Sequence, residues 1–384
     1  MAYNAKWGIL ATGGIAKTFV KDLLKDSKAR GAEDVTHTVT AVASSSSKAR
    51  AEQFITEINI PGNPAAYGSY HELVNDPNVD IIYVATPHSH HYQNARLALE
   101  AGKHVLCEKA FTVNAAQAKI LVDLARKKNL FLMEAVWTRY FPLSVEVRSL
   151  IQKGEIGEVL RVTADNSTGD PDWDPSHRMV NLDLAGGALL DLGIYSLTWV
   201  FQTLYHTLPP SQRKAPSSIA STMAKHAVTG ADESTTMLIT FPTTTPSNLP
   251  NRTSHAVAMT SLTVDSNPDK ENSARPAIRI QGTKGEIQVD GPAFRPPRYR
   301  VIPKKQGDTP VKIREIENPF PANGHGMYWE ADEVARCVRD GKLESEGMSW
   351  EESIVIMEVM DEVRKQNGLV YPEKIESTEY PIKL

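Results

Sequence analysis

Two short runs hold the side chains best able to do chemistry. The first is Cys107-Glu108-Lys109-Ala110, which closes an apolar stretch. A lysine at the end of a buried strand, partly desolvated, can donate to a substrate oxygen or depress a neighbour's pKa. The second is Gly186-Gly187-Ala188-Leu189-Leu190-Asp191-Leu192-Gly193-Ile194-Tyr195. On a helix, Asp191 and Tyr195 are four apart and share one face. An ammonium from Lys109 close to Tyr195 would favour the phenolate and lower its pKa from about 10. Such a tyrosine can take a hydroxyl proton while hydride leaves the carbon. Spacing alone fits equally well a core tyrosine whose hydroxyl is tied to a carbonyl.

Hydride needs an acceptor, and a third run supplies a place for one. Gly8-Ile9-Leu10-Ala11-Thr12-Gly13-Gly14-Ile15-Ala16 joins a strand pattern to an amphipathic helix pattern. Against the dinucleotide fingerprint G-x-G-x-x-G/A, Ala11 takes the place of the first glycine, Gly13 the second and Ala16 the third. Gly13 and Gly14 let backbone approach a pyrophosphate, with Ile15 and Ala16 opening the helix whose N–H groups and dipole hold it. Ala11 is tolerable there only with a negative φ. The second strand ends in Ala43-Ser44-Ser45-Ser46-Ser47-Lys48, with no carboxylate before Glu52. Small hydroxyls at Ser44 and Ser45 and the cation of Lys48 suit a 2′-phosphate, so NADP is expected over NAD. The same polar run also reads as a cap for the next helix. Thr86-Pro87-His88-Ser89-His90-His91 follows another strand. Thr86, Pro87 and either His90 or His91 are expected to touch the cofactor, and no metal site is expected, since no cysteine or carboxylate joins these histidines at ligand spacing.

Elements must bring these runs to one edge. Strand patterns at Lys6–Leu10, Thr38–Ala43, Asp80–Ala85, His104–Cys107 and Leu130–Glu134 alternate with helix patterns at Ile15–Leu24, Lys48–Ile58, His91–Ala101 and Ala115–Lys128. That alternation implies a Rossmann-type, doubly wound parallel sheet over residues 1–136. Residues 137–384 read as an α+β domain with a large open, mainly antiparallel sheet, whose C-terminal helix could pack back on the first domain. Its strands are expected at Val159–Ala164, Thr235–Thr240, Ala256–Val264, Ala277–Gln281, Glu286–Val289 and Val311–Ile316. Its helices are expected at Leu143–Ile151, Ala188–Leu204, Trp329–Arg339 and Trp350–Gln366. Thr243–Thr253 and Asp265–Pro276 read as polar loops.

Composition removes whole classes. The 384 residues carry 42 basic and 46 acidic side chains, a net charge of −4, which argues against a nucleic-acid binder. Two cysteines, Cys107 and Cys337, cannot build a disulfide framework or a cysteine-rich zinc site and point to a reducing compartment. No run approaches the ~18 uninterrupted apolar residues of a membrane span. The N-terminal residues lack a signal-peptide core. The expectation is a cytoplasmic protein with no membrane or nucleic-acid partner.

Several of these runs together resemble the glucose-fructose oxidoreductase / inositol dehydrogenase (Gfo/Idh/MocA) family. They are Gly13-Gly14-Ile15-Ala16, Thr86-Pro87, Ala101-Gly102-Lys103-His104-Val105 with Glu108-Lys109, and Asp191-Leu192-Gly193-Ile194-Tyr195. Phe131-Leu132-Met133-Glu134-Ala135-Val136-Trp137-Thr138-Arg139 looks like its dimeric dihydrodiol dehydrogenase branch. Cys107-Glu108-Lys109-Ala110-Phe111, Ser176-His177-Arg178-Met179-Val180-Asn181 and Gly324-His325-Gly326-Met327 look like the fungal NADP-dependent D-xylose 1-dehydrogenases within it. The resemblance implies that Lys109 and Tyr195 are catalytic, supported by Asp191. It adds Glu108, Lys109, Trp137 and Arg139 to the cofactor side. It implies a sugar held by Lys109, Trp137, Asp174, His177, Asp191 and Tyr195, and a homodimer formed through the C-terminal sheet. The implied reaction is oxidation of D-xylose at C1 to D-xylono-1,5-lactone. Oxidation of trans-1,2-dihydrodiols is the alternative within the branch. An NADP-sensing regulatory protein of the same fold is a third reading, disfavoured because a sensor has no use for the Lys109–Tyr195 pair. Ala110 stands where the wider family often has proline, which leaves the backbone at Lys109 open.

Overall fold

A computed structural model describes residues 2–170, 172–242, 253–273, 276–308 and 310–384. The chain forms two compact units: residues 1–140, 320–357 and 372–384, and residues 141–319 and 358–371.

The first unit holds β1 (Tyr3–Leu10), α1 (Gly14–Leu23), β2 (Val35–Ala43), α2 (Lys48–Ile58), β3 (Ala65–Tyr67), α3 (Tyr70–Val74), β4 (Ile81–Val84), α4 (His88–Glu100), β5 (His104–Glu108), α5 (Ala115–Lys128) and β6 (Leu132–Ala135). Its six parallel strands lie in the order β3-β2-β1-β4-β5-β6. This is the expected Rossmann-type sheet. The order reverses between β1 and β4, and ligands bind at the carboxyl ends beside such a switch point. The apolar run Ile81-Ile82-Tyr83-Val84 is fully buried, as a strand covered on both faces requires. β3 and α3 escape the sequence reading because three and five residues are too few to show a period.

The second unit holds α6 (Pro142–Gln152), β7 (Val159–Asp165), α7 (Ile194–Leu204), β8 (Ser218–Lys225), β9 (Asp232–Pro242), β10 (Thr253–Ser261), β11 (Ile278–Gly282), β12 (Gly285–Val289), β13 (Arg298–Pro303) and β14 (Arg314–Glu317). Its eight strands run in the order β14-β13-β12-β11-β7-β10-β9-β8. Only the β7–β10 pairing is parallel. α7 packs on β7 and β10, and every one of its residues is buried. The stretch Leu182–Leu204 is apolar and long enough to cross a membrane, but 94% of its most apolar window is buried in the fold, as for a core helix.

Several expectations are corrected here. β8 is missing from the sequence reading because its half-buried face, Ile219, Ser221 and Met223, includes a serine and its exposed face includes alanines, which blurs the apolar–polar alternation. β13 is missing because prolines flank and end it. The final strand begins at Arg314 rather than Val311. The loop expected at Thr243–Thr253 lies, except for Thr253, outside the described residues. The helix expected from Ala188 opens with a π-helical turn, Leu189–Gly193, before α7.

The largest correction is the second domain's extent. Phe320–Met357 and Pro372–Leu384 belong to the first unit, which is more than a single returning helix. They include α8 (Tyr328–Arg339), the first part of α9 (Trp350–Gln366) and the short α10 (Glu373–Glu376). The cause is the apolar face of α8, with Ala331, Val334 and Ala335 fully buried against β1, β2 and the turn at Trp137–Tyr140. Polar groups fix it there. Arg30 makes a two-point ion pair with Asp332 at 2.7 and 2.8 Å, and His37 Nε2 meets the same carboxylate at 2.8 Å. Asp22 accepts the backbone N–H groups of His325, Gly326 and Met327, just before α8 starts.

α8 also buries a carboxyl without a partner. Glu330 is 0% exposed and neither oxygen is hydrogen-bonded. Burial, then the charges of Glu108 and Asp22, push its pKa well up, which favours the protonated form of Glu330. The folded state therefore binds more protons than the unfolded chain above the ordinary glutamate pKa of about 4.3. Stability falls by about 1.4 kcal/mol per pH unit from there until the raised pKa is passed. Glu330→Gln removes that slope. Its Tm is expected to exceed the parent's at pH 8, with the gap closing towards pH 5. Parallel Tm curves for the two proteins would refute a protonated Glu330.

Candidate active site

Each unit, taken by itself, holds one candidate face. In the first unit the face is the carboxyl edge of the parallel sheet. Gly13 caps α1 without any side-chain bond, and no acidic residue occupies the first turn of α1. A Cβ added at Gly13 or Gly14 would meet nothing within 4 Å, so the space beside this turn is open, and the first N–H groups of a helix have no intrahelical acceptor. That geometry suits a diphosphate. Ala11 departs from its expectation, because its φ is +93°. It adopts the glycine conformation and not merely the glycine position, at a cost of order 1–3 kcal/mol. At the end of β2, Ser44 and Ser46 hydroxyls lie 2.9 Å apart and Ser47 caps α2 through the Arg50 amide, while Ser45 and Lys48 are exposed.

Thr86 and Pro87 form the turn from β4 into α4, which starts at His88. His90 bonds Ser89 at 2.8 Å, and burial lowers its pKa. His91, a candidate for cofactor contact, is placed differently. It is 1% exposed, with Nδ1 2.9 Å from the Ala110 carbonyl oxygen and Nε2 2.8 Å from that of Thr86. Burial takes its pKa down to about 4.

The loop after β5 presents Lys109, whose amide lies 3.3 Å from the Glu108 carboxylate. Glu108 is buried and accepts the Tyr83 hydroxyl hydrogen. The Lys109–Ala110 peptide is cis, with alanine and not proline at position 110. Cys107 is fully buried and burial raises its thiol pKa, which fits a packing role. After β6, Trp137 stacks on His325 with ring centres 4.8 Å apart. Arg139 requires a correction. It is 0% exposed, and its three guanidinium nitrogens bond the Glu352 carboxylate (2.6 and 3.1 Å) and the Gly347 carbonyl (2.6 and 3.0 Å). A fork committed in this way fastens the chain after β6 to α9.

In the second unit the face is built around the π-helical turn. Gly187 has φ +135°, and a Cβ there would sit 1.9 Å from Asp232 Oδ1. Only glycine lets Asp232 approach and accept the Leu189 N–H at 2.5 Å. Burial raises the Asp232 carboxyl to about 6. Asp191 stands in the π turn and Tyr195 in the first turn of α7. The one-face reading assumed 3.6 residues per turn and does not carry over unchanged. π turns are frequent at functional sites. Asp191 pairs with Arg178 at 3.3 Å, and the Tyr195 ring lies 5.8 Å from Phe294. Asn166 donates to the Leu192 carbonyl at 3.1 Å, tying β7 to the turn.

Asp174 and His177 lie on an exposed loop, where Asp174 accepts from Ser176 and His177 stacks on Trp173 at 4.6 Å. Ser176 hydrogen bonding holds the Asp174 carboxyl below the usual range. Three participants escape the sequence reading: Asp232, Arg178 and Glu134. Nothing local marks Asp232. Arg178 lies in the quoted Ser176–Asn181 run. Glu134 carries the same signal as Glu108, a carboxylate at the end of a buried strand.

Two family models match this chain. Residues 5–136 fit the oxidoreductase-family, NAD-binding Rossmann-fold model, and residues 144–288 fit the Gfo/Idh/MocA C-terminal domain. The chain belongs to the Gfo/Idh/MocA oxidoreductase family. It is 54% identical to a D-xylose 1-dehydrogenase (NADP(+)) of Hypocrea jecorina, over 99% of this chain and 96% of that one. It is 34% identical to the trans-1,2-dihydrobenzene-1,2-diol dehydrogenases of Danio rerio and Homo sapiens, over 96% of this chain and 98% of each relative. Among solved structures, a levoglucosan dehydrogenase in complex with NADH and levoglucosan superposes with TM-score 0.76 at 17% identity, covering 95% of this chain and 97% of that one. A Caulobacter crescentus aldose-aldose oxidoreductase gives 0.72 at 21% identity, covering 94% and 97%. These structural likenesses concern the Gfo/Idh/MocA fold alone.

Proposed function

We propose that this oxidoreductase oxidises the anomeric hydroxyl of D-xylose to D-xylono-1,5-lactone with NADP⁺. The observation that carries the reading is the 54% identity, along almost the whole chain, to a D-xylose 1-dehydrogenase (NADP(+)). The dihydrodiol reading rests on 34% identity over a similar length.

The residues present fit NADP. Gly13, Gly14, Ile15 and Ala16 open α1, whose first N–H groups lack intrahelical acceptors and suit the pyrophosphate. Ser44, Ser45 and Lys48 offer hydroxyls and a cation for the 2′-phosphate, with Lys48 exposed and 3.9 Å from the Glu52 carboxylate. Thr86 and Pro87 line the next strand end. NADP⁺ held there would supply the hydride acceptor for C1. Tyr195 takes the C1 hydroxyl proton as the C–H electron pair leaves, which forms the lactone C=O. Lys109 favours the tyrosinate and holds the sugar oxygen. Asp191, steadied by Arg178, orients the sugar, and Trp137, stacked on His325, gives it an apolar wall. Asp174 and His177 reach it from their loop. The reaction belongs in the cytoplasm, in keeping with two free, buried cysteines.

The same reading pairs two copies of the chain through the C-terminal sheet. α7 covers one face of that sheet, while the other shows Leu238 at 54% exposure beside its cross-strand neighbour Val257. Light scattering after gel filtration should give twice the chain mass, and Leu238→Glu should reduce it. The activity test is NADP⁺ and NAD⁺ reduction over a panel of aldoses and trans-dihydrodiols. D-xylose with NADP⁺ is expected to give the highest kcat/KM. Turnover of dihydrodiols but not aldoses would replace the substrate, and a lower KM for NAD⁺ would overturn the 2′-phosphate assignment.

A further inference from the structure

We propose that His91 and Glu134 are positioning residues for Lys109, gripping a single peptide unit from two sides. The proposal rests on the reading of Lys109 as catalytic.

The peptide joining Ala110 to Phe111 has one acceptor and one donor. His91 Nδ1 lies 2.9 Å from the acceptor, the Ala110 carbonyl oxygen. The donor, the Phe111 N–H, gives its hydrogen to Glu134 Oε1 at 3.0 Å. His91 belongs to α4 and Glu134 to β6, so two different elements hold the loop that leaves β5. Both side chains are buried, at 1% and 2% exposure. The His91 ring also faces the Thr86 carbonyl oxygen, at 2.8 Å, and so spans the turn after β4 as well. A neutral ring has one N–H, which it gives to one of these carbonyls at a time. The Cys107 thiol adds a weak contact to the Phe111 carbonyl, at 3.7 Å.

The next residue back from this peptide is Lys109. Its ammonium sits at the end of a flexible four-carbon stem. A long stem fixes its charge only as well as the backbone beneath it is fixed. Misplacement of a reacting group by about 1 Å costs on the order of 100-fold in rate. Core filling alone would not call for two titratable side chains on the two polar atoms of one peptide, since buried carboxyl and imidazole groups are costly.

The test uses the full-length enzyme and NADP⁺ reduction with D-xylose. Glu134→Ala removes the acceptor, and His91→Phe keeps the ring volume but donates nothing. Each is expected to lower kcat roughly 10–100-fold. Each should also move the acid limb of kcat/KM to higher pH, because Lys109 no longer favours the Tyr195 phenolate. Glu134→Gln keeps an acceptor oxygen for Phe111 and should restore kcat to within about 3-fold. Glu134→Asp draws the acceptor back by one methylene and should change kcat in the same direction, which covers a Glu134→Ala protein that does not fold. On a Lys109→Met background, neither Glu134→Ala nor His91→Phe should cost more than about 2-fold further. Variants that lower Tm but leave kcat and the acid limb in place would overturn the proposal. So would losses fully additive with Lys109→Met. A Lys109→Met enzyme at the parental rate would overturn the catalytic reading of Lys109 itself, and the proposal with it. An inactive Lys109→Met beside fully active Glu134→Ala and His91→Phe would overturn the positioning role alone.

Discussion

Tyr195→Phe is expected to lower kcat for NADP⁺ reduction with D-xylose by roughly 10²–10⁴-fold, the range for losing a general base. The fold should hardly notice. Tyr195 is 6% exposed, and its ring packs against Phe294 in a contact that phenylalanine preserves. Losing one hydroxyl costs about 1 kcal/mol, hence a few degrees of Tm. A large rate loss at nearly constant Tm separates a proton acceptor from a core tyrosine, the two readings that spacing left open. Steady-state kinetics beside a thermal melt decides the matter. A variant retaining a third or more of the parental kcat would remove Tyr195 from the reaction.

Arg139→Leu is expected to act in the opposite way. Arg139 and Glu352 are both 0% exposed and bonded at two points. Removing the cation strands the Glu352 carboxylate in the interior, which costs about 3–5 kcal/mol. The Tm should fall by on the order of 10 °C. Arg139→Leu with Glu352→Leu should recover most of the loss, because two apolar side chains leave no buried charge unpaired. KM for NADP⁺ should stay within about 2-fold in whatever remains folded. If instead Tm holds and KM for NADP⁺ rises 10-fold or more, Arg139 reaches the cofactor and its burial is not its role.

These two residues show how unevenly a sequence discloses a site. Tyr195 was a candidate because it stands in a glycine-rich run with an acid four residues earlier. Arg139 looked equally functional, being a cation in a short motif after a strand. What separates it is Glu352, 213 positions away, which no local pattern connects to it. The same holds for Asp232. It lies 43 positions beyond the amide it accepts, at the start of a strand that reads as ordinary. His91 was a candidate for cofactor contact, and its two ring nitrogens lie beside backbone carbonyls that only the tertiary structure brings to it.

Local physics therefore determined much from the sequence alone. Alternating strand and helix periods imposed a parallel sheet, because buried parallel strands must be apolar on both faces. Glycines before α1 and the serines after β2 marked a candidate phosphate-holding edge, because backbone amides and small hydroxyls act at short range. Mild acidity and two cysteines removed nucleic acids and disulfide scaffolds. Tertiary structure decided what depends on distant partners. It returned Phe320–Met357 to the first unit, through the apolar face of α8. It turned the start of the Tyr195 helix into a π turn, held at its N-terminus by Asp232. It raised the pKa of Glu330, because burial and the charges of Glu108 and Asp22 act only once the chain has brought them together. Propensity and periodicity are properties of neighbours along the chain, whereas burial and charge pairing are properties of neighbours in space.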